Sequence, residues 1–551
     1  MAKRHRGGRS MRKRLIRDSI LFAALVLLVS QLSLASTVSQ TTGAHPRPKL
    51  IVILVIDQFR PDYLERFRSR FVERGLNLLL RGGANFVNCR FDYACTETAA
   101  GHASIFTGAY GNVHGIVGNG WYDRVTKQPV HSVADATTAI VGGSGGPGTS
   151  PRRLLGDTVG DELRMATNFQ AKVISISLKD RPAVLSGGHT ANAAYWSDPK
   201  TAQFVSSSYY MQSLPAWVVS FNDDSHAKAY CGKTWEELPE TPGAPSKVFS
   251  QYKVAANESC PNGNFRRWLL STPYMNKIQL EFALAAIENE GLGRDSTTDL
   301  LAISLSVNDF IGHAYGPYSP EVADTVLRTD RYLADFFASL DRRVGLDNVW
   351  IILTADHGVA PTPAYAREHG LGQNPVQPDA VRRAVESALT EAFGREQWIE
   401  YAEATSFYLN EAALKRHQIE AAKAQAAAAE AAASVPGVFA AFTRQQLLSG
   451  APLASPYARK AANCFYGQRS GDIFIVFDPY IGPSMSETVA GHGSPWNCDA
   501  QVPLVLWGAA FKPGTYAIPC QPIDLAATLA AALAISQPSG TQGQPLVPAV
   551  K

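Results

Sequence analysis

The stretch CTETAAGHASIFTG, residues 95–108, sets Thr96, Thr98 and Thr107 around a histidine and behind a cysteine. A threonine hydroxyl has a high pKa, so it attacks only where a metal or a base stabilises its alkoxide. Residues that could give that help stand far off in the chain. Asp57 ends the run LIVILVI, Asp309 and His313 follow LLAISLS, Asp356 and His357 follow VWIILT, and His492 lies in GHGS. Three carboxylates and three imidazoles make two three-ligand sets of oxygen and nitrogen donors without thiolate, which suit zinc and less well manganese or iron. Asp309 and His313 are four apart, so a helical turn puts both on one face. Adjacent Asp356 and His357 can both reach one metal pocket only if the chain turns after the strand. Each residue alone has a plainer reading. An aspartate after a strand is often a helix N-cap, and a lone histidine near glycine is usually a loop residue. We read His114, His131, His189, His226, His369 and His417 in that way, with His189 in SGGH also placed to support a ligand. Four strand ends that each yield a carboxylate or an imidazole are harder to explain so.

The elements that must position these residues are continuous apolar runs at Leu50–Ile56, 171–181, 300–305, 349–354 and near 505, which read as buried, mostly parallel strands. Helical patterns such as GDTVGDELRMATNF and VADTVLRTDRYLADFFASLDRRV lie between them. Strands alternating with helices predict an α/β fold, a three-layer α/β/α sandwich on a mostly parallel central sheet. Such sheets bind ligands just beyond the carboxyl ends of their strands, where three of the five runs end in an aspartate. TAAGHASIFTG predicts a helix beginning at Thr98, with small residues that permit close approach. Thr98 is then both N-cap and nucleophile, helped by the helix dipole and free backbone N–H groups, and Thr96 is structural. Weak periodicity over 190–295 and an alanine-rich segment at 411–437 predict insertions near 190–295 and 360–475, the alanine helix lying on the surface. IVGGSGGPGTSP at 140–151 reads as a surface loop. We expect the catalytic domain to span 48–535 and the Gln/Pro/Gly-rich tail, 536–551, to be loose.

The 551 residues carry a formal charge of +3, unevenly placed. Eight Lys and Arg against Asp18 alone give the segment before residue 36 a net +7, leaving −4 for the remainder. The mature chain therefore offers no nucleic-acid surface. A basic start, the ten apolar residues ILFAALVLLV and small residues at Ser33 and Ala35 predict a cleaved signal peptide at 1–35 and a linker at 36–47. Ten apolar residues are too few to span a bilayer; an uncleaved anchor is the other reading. Either one puts the catalytic part outside the cytoplasm, periplasmic or secreted, with no stable membrane insertion after cleavage. Seven cysteines are consistent with export. Cys231 with Cys260 and Cys464 with Cys498 are possible pairs, the odd count leaves at least one thiol over, and no pattern fixes an oligomeric state.

VIDQFRPDYL, TETAAGHASIFTGAYGNVHGIVGNGWYD, SISLKDRPAVLSGGH, SVNDFIGHAYGP, LTADHG and GHGS together resemble the alkaline phosphatase superfamily, nearest to its phosphate-irrepressible bacterial alkaline phosphatases with a threonine nucleophile. The likeness runs in order through most of residues 48–510. It implies a two-zinc α/β/α enzyme that hydrolyses small-molecule phosphate monoesters through a phosphothreonine intermediate. One zinc is then held by Asp57, Asp356, His357 and the Thr98 oxygen, the other by Asp309, His313 and His492. Asn119 in GNGWYD matches a residue that contacts a phosphoryl oxygen, and Lys179 and Arg181 in SLKDR match a pair that contacts the transferred phosphoryl group. A nucleotide pyrophosphatase/phosphodiesterase of the same superfamily would share the zinc ligands, Thr98 and Asn119, but Lys179 and Arg181 argue against it. A sulfatase needs a Cys or Ser in a C-x-P-x-R-like stretch, and Cys95 is followed by TETA, which leaves Cys95 a structural role. A metal-binding or phosphate-scavenging protein with a dead site would lack a ligand, and all six are present with the threonine.

Overall fold

The computed structural model describes residues 47–551, apart from 224–225, 240–245, 254–259, 373–375, 377–378, 404, 450–454 and 483–484. The expected signal peptide and most of the linker lie outside the described residues. Among the described residues, no helix is long and apolar enough to cross a membrane.

Eleven strands form one central sheet with helices around it. Its middle is parallel. Leu50–Ile56 pairs with Asp299–Leu305 on one side and Val349–Thr354 on the other, and Val173–Ser177 and then Ala193–Ser197 continue beyond Asp299–Leu305. These strands are buried throughout and mostly apolar because both faces are covered: all seven residues of Leu50–Ile56 are buried and apolar. Each such Leu, Ile or Val contributes about 1.5–3 kcal/mol over its exposed state. Outside the parallel core the sheet is mixed. Leu504–Trp507 runs antiparallel to Val349–Thr354, and Phe204–Ser207 antiparallel to Ala193–Ser197. The 140–151 segment is not one loop: residues 140–141 end the strand Ala134–Val141 and 147–149 form the edge strand Pro147–Thr149, so only 142–146 connect the two.

The two inserted regions differ from the expectation in different ways. Ala193–Ser197 and Phe204–Ser207 belong to the main sheet, and the helix Tyr274–Glu290 packs on it through Phe282, whose ring meets Tyr195 and Phe204, and Gln279, whose Nε2 donates to the Ile176 and Ser304 carbonyls. Much of 190–295 is therefore scaffold, whose periodicity is weak because its helix is buried on more than one side. The segment after residue 360 does form a unit of its own, a four-stranded antiparallel sheet of Ile399–Glu403, Ser406–Leu409, Val438–Thr443 and Ile473–Phe477. The alanine-rich helix Ala421–Ala433 is not a bare surface helix. It packs Ala424, Ala428 and Ala432 against Val438–Thr443 and the helix Ala380–Phe393, small side chains allowing a close approach.

The tail is not loose. The amides of Gln542 and Gly543 donate to the Gly108 carbonyl at 2.7 and 2.9 Å, the Leu546 amide donates to Thr528 Oγ1, and Leu546 and Ala549 are buried. Its composition hides this because backbone groups do most of the holding, satisfying carbonyls left open at the end of the Thr98–Thr107 helix.

Candidate active site

Asp57, Asp309, His313, Asp356 and His357 follow the carboxyl ends of parallel strands, and His492 comes from the segment ahead of the helix Asn497–Ala500. Asp57 follows Leu50–Ile56 directly, and Asp356 and His357 follow Val349–Thr354. Asp309 and His313 share a face of the helix Val307–Tyr315, with His313 Nε2 3.2 Å from Asp309 Oδ1. Each imidazole is fixed through Nδ1 to a backbone carbonyl: His313 to Ala490 at 2.7 Å, His357 to Gly358 at 2.9 Å and His492 to Thr96 at 2.7 Å. A carbonyl only accepts, so each Nδ1 carries a proton, which leaves each Nε2 as the nitrogen that could bind a metal. Those nitrogens converge on the carboxylates. His357 Nε2 lies 3.4 Å from Asp57 Oδ1 and 3.6 Å from Asp356 Oδ2, and His492 Nε2 lies 3.6 Å from Asp309 Oδ1.

Three buried carboxylates in one place are costly unless cations neutralise them. Among the described residues, the one ammonium or guanidinium bonded to them is Lys179, whose Nζ donates to Asp57 Oδ2 and Asp309 Oδ2 at 2.6 Å each. Burial, with Asp309 and Asp356 beside it, pushes the Asp57 carboxyl well above the usual range. Burial would raise Asp356 too, but His357 and His102 hold it below. Burial and the neighbouring His357 and His313 push His492 well down, keeping it neutral. Asp57 Oδ1, Asp356 Oδ2 and His357 Nε2 are buried without a hydrogen-bond partner in the protein. The residues fit divalent cations: Asp57, Asp356 and His357 bring ligand atoms within 4.8 Å of one another, as do Asp309, His357 and His492.

Thr98 is the first residue of the helix Thr98–Thr107, and the extended Glu97 occupies the cap position expected of Thr98. The Ala99 amide donates to Asn119 Oδ1 at 3.0 Å, so Asn119 supplies the missing cap and keeps its Nδ2 donors for other work. Glu97 Oε2 accepts from the Asn119 amide at 2.6 Å. The first turn is pressed against the metal-ligand strand end: a Cβ on Gly101 would come within 2.3 Å of the Asp356 carbonyl oxygen, so only glycine fits. Thr96 is committed elsewhere. Its hydroxyl donates to the Ser494 carbonyl and accepts from the Gly493 amide. Lys179 precedes the helix Asp180–Gly187 without a side-chain bond to it, and Arg181 Nη1 meets His131 Nε2 at 2.5 Å while its buried Nε has no partner.

Three supporting residues escape the sequence reading. His102, fully buried, bonds the Thr98 carbonyl at 2.8 Å, Ser304 Oγ at 3.0 Å and faces Asp356 Oδ2 at 3.3 Å. Its i,i+4 spacing from Thr98 was the available signal. Gln58 adopts φ 62° just after Asp57; its amide donates to Asp356 Oδ1 and its Nε2 to Asp309 Oδ1. Such left-handed strain in a non-glycine residue gathers at functional sites, and sequence carries no mark of it. Glu403, from the inserted sheet, lines a cavity of about 310 Å³ with Glu97, Asn119, His313, His492 and Phe477.

Of the two possible cysteine pairs, one forms and the other does not. Cys231 bonds Cys260, but Cys464 bonds Cys95, 369 residues away, and Cys498 is free, as are Cys89 and Cys520. The inserted unit returns Cys464 beside the loop that leads to Thr98, which spacing cannot reveal.

Carboxylates and Nε2-directed imidazoles gathered beyond the parallel strands of a sheet with helices around it make a hydrolase-like site, on an α/β fold, that could hold metal ions. The family described as type I phosphodiesterase/nucleotide pyrophosphatase matches residues 51–490. Alkaline phosphatase PhoV of Synechococcus elongatus is 37% identical over 92% of this chain and 93% of its own. The crystal structure of wild-type alkaline phosphatase PafA superposes with a TM-score of 0.84 at 32% identity, covering 92% of this chain and 99% of that one. A PafA variant with a threonine, an asparagine, a lysine and an arginine substituted superposes at 0.83. The chain belongs to this family, within the alkaline phosphatase superfamily, and is a phosphoric monoester hydrolase.

Proposed function

We propose that the protein is an exported two-zinc alkaline phosphatase that transfers the phosphoryl group of a monoester to Thr98 and then to water. The observation that carries this reading is the set of three imidazoles, each tied through Nδ1 to a carbonyl with Nε2 aimed at a buried carboxylate. Asp57, Asp356, His357 and the Thr98 oxygen would hold one zinc, and Asp309, His313 and His492 the other. When bound, the two ions supply positive charge at the attacking and leaving oxygens. Thr98 Oγ1 attacks phosphorus, the ester oxygen departs with the leaving group, and water later cleaves the phosphothreonine in line. The Asn119 Nδ2 group donates to a phosphoryl oxygen. Lys179 and Arg181 neutralise the equatorial oxygens, and because a monoester dianion carries more charge than a diester, they favour monoesters. The four residue types substituted together in the PafA variant occur here as Thr98, Asn119, Lys179 and Arg181, in the same order. The threonine-to-asparagine and lysine-to-arginine separations are also the same. The two disulfides, and the basic and apolar start of the chain, support export to a periplasmic or extracellular compartment.

Turnover of p-nitrophenyl phosphate beside bis(p-nitrophenyl) phosphate, on zinc-loaded protein, decides the substrate class. A strong monoester preference is expected; a diester preference would make the protein a phosphodiesterase with the same donors. Thr98→Ala is expected to remove most turnover, by roughly a thousandfold or more, while zinc content by mass spectrometry is retained. An unchanged rate would move the nucleophile elsewhere.

A further inference from the structure

The hairpin Gly120–Asp123/Gln128–His131 lies beside the site without contributing a residue to the reaction as set out above. Its two ends do something specific. Asn119 stands immediately before the first strand. His131 ends the second, directly opposite Gly120, and the Ser132 amide donates to the Asn119 carbonyl at 3.0 Å. A histidine that reads in sequence as a loop residue is thus locked to the residue next to Asn119 by a backbone ladder.

His131 also faces the helix that carries Arg181. Arg181 Nη1 and His131 Nε2 are 2.5 Å apart, and a guanidinium can only donate. His131 Nε2 is therefore an acceptor, and the ring proton sits on Nδ1, which lies 3.8 Å from Asp180 Oδ2. Asp180 Oδ1 in turn accepts from the Arg181 amide at 2.8 Å. The guanidinium is thereby gripped at Nη1, its backbone is gripped by Asp180, and its Nε, buried and unpartnered, is left over. Burial lowers the affinity of His131 for a second proton, Asp180 raises it and the Arg181 cation lowers it again, with a net fall. Those two are the charged groups that face the ring, and the neutral form that accepts from Arg181 is the favoured one.

From this geometry we infer that His131 is a positioning residue for phosphoryl transfer: it holds Arg181 in place and, through the hairpin, fixes Arg181 relative to Asn119. Two phosphoryl contacts from distant parts of the chain are thus set at one spacing by a single rigid ribbon. An arginine left to find its own rotamer would lose much of its preorganised charge, since its long side chain has many rotamers to choose among. This inference rests on the proposed contact of Arg181 with the phosphoryl group.

The experiment is a double-mutant cycle on the zinc-loaded enzyme, with His131→Ala, Arg181→Ala and the double variant. Readouts are kcat and KM for p-nitrophenyl phosphate and inhibition by inorganic phosphate. His131→Ala is expected to lower kcat/KM by roughly tenfold, to weaken phosphate inhibition in parallel, and to have no further effect once Arg181 is alanine. His131→Gln, which can place an amide oxygen near the Nε2 position, is expected to recover most of the loss. It also keeps the inference testable should the alanine variant fold poorly. A His131→Ala loss that is undiminished in the Arg181→Ala background, an absence of rescue by glutamine, or wild-type kinetics for His131→Ala would each overturn the positioning role. If Arg181→Ala itself leaves monoester kinetics unchanged, the proposed Arg181 contact fails and this inference with it. A large Arg181→Ala effect without coupling to His131 would sink this inference alone.

Discussion

The two donor sets are built from the same residue types but meet solvent differently. Asp57, Asp356 and His357 have side chains with no exposure at all. The Asp309, His313 and His492 side chains are 6%, 35% and 9% exposed, and both histidines line the 310 Å³ cavity. The closed set is sealed by the protein's own machinery: the first turn of the Thr98 helix lies on Asp356, and His102 and Gln58 fill the space around it. The open set faces the side on which a leaving group would depart and water would enter. On the proposed mechanism, one set would present a fixed protein oxygen and the other would exchange small molecules.

If that division holds, losing a ligand from the closed set is the larger injury. Asp356→Asn removes a charge that organises Gln58, His102 and His357 together, and is expected to lower kcat/KM by roughly a thousandfold or more. It is also expected to release bound metal beyond one equivalent, because Asp57 then lies beside a set with one carboxylate fewer. His313→Ala opens a position already near solvent; we expect roughly a hundredfold loss and the release of about one equivalent. Metal content by mass spectrometry, read beside turnover, separates the two. Equal losses of metal and rate from both variants would break the comparison.

Lys179 sits on the seam between the sets, bonded to a carboxylate of each. Lys179→Ala and Arg181→Ala are each expected to cost roughly a hundredfold on p-nitrophenyl phosphate and clearly less on its diester, which presents one negative charge fewer. Parallel losses on both substrates would remove the charge argument for monoester preference, while leaving the donor sets untouched.

How much of this was legible in sequence follows from what each feature depends on. The strand-end aspartates were readable because these buried parallel strands carry long apolar runs, so the first charged residue after the run marks its end. Asp309 and His313 were readable because four residues is one helical turn. The antiparallel flank at Leu504–Trp507 and the sheet strands at 193–207 were not, since direction and pairing are set by chain partners far away. Thr98 was distinguished from Thr96 in sequence by helix position alone. The structure adds that the Thr96 hydroxyl already has two partners. Gln58 gives no sign because its role lies in a φ angle, and His131 gives none because its partner is fifty residues on.

The smallest predicted effect concerns the two disulfides, and it sharpens the same contrast between a region tied to the site and one remote from it. Cys95–Cys464 closes a loop of 369 residues and anchors the segment that carries Thr96, whose carbonyl holds His492. Cys231–Cys260 closes 29 residues in a peripheral region. Closure entropy grows only logarithmically, so removing each as a Cys→Ser pair is expected to cost about 4 kcal/mol for the short loop and about 6 kcal/mol for the long one, lowering Tm by about 4 and 6 °C in a chain of this size. That difference reflects loop length and says nothing about the tether to the site. Activity does: without Cys95–Cys464 the loop from 94 to 97 gains freedom beside His492 and Thr98, and kcat is expected to fall by a few-fold at a temperature well below Tm. The Cys231→Ser/Cys260→Ser protein is expected to keep its kcat there. If both pairs could be removed with equal effect on kcat, the tether to the site would be incidental and the rigidity of the Thr98 segment would have to come from the helix packing on Asp356 alone.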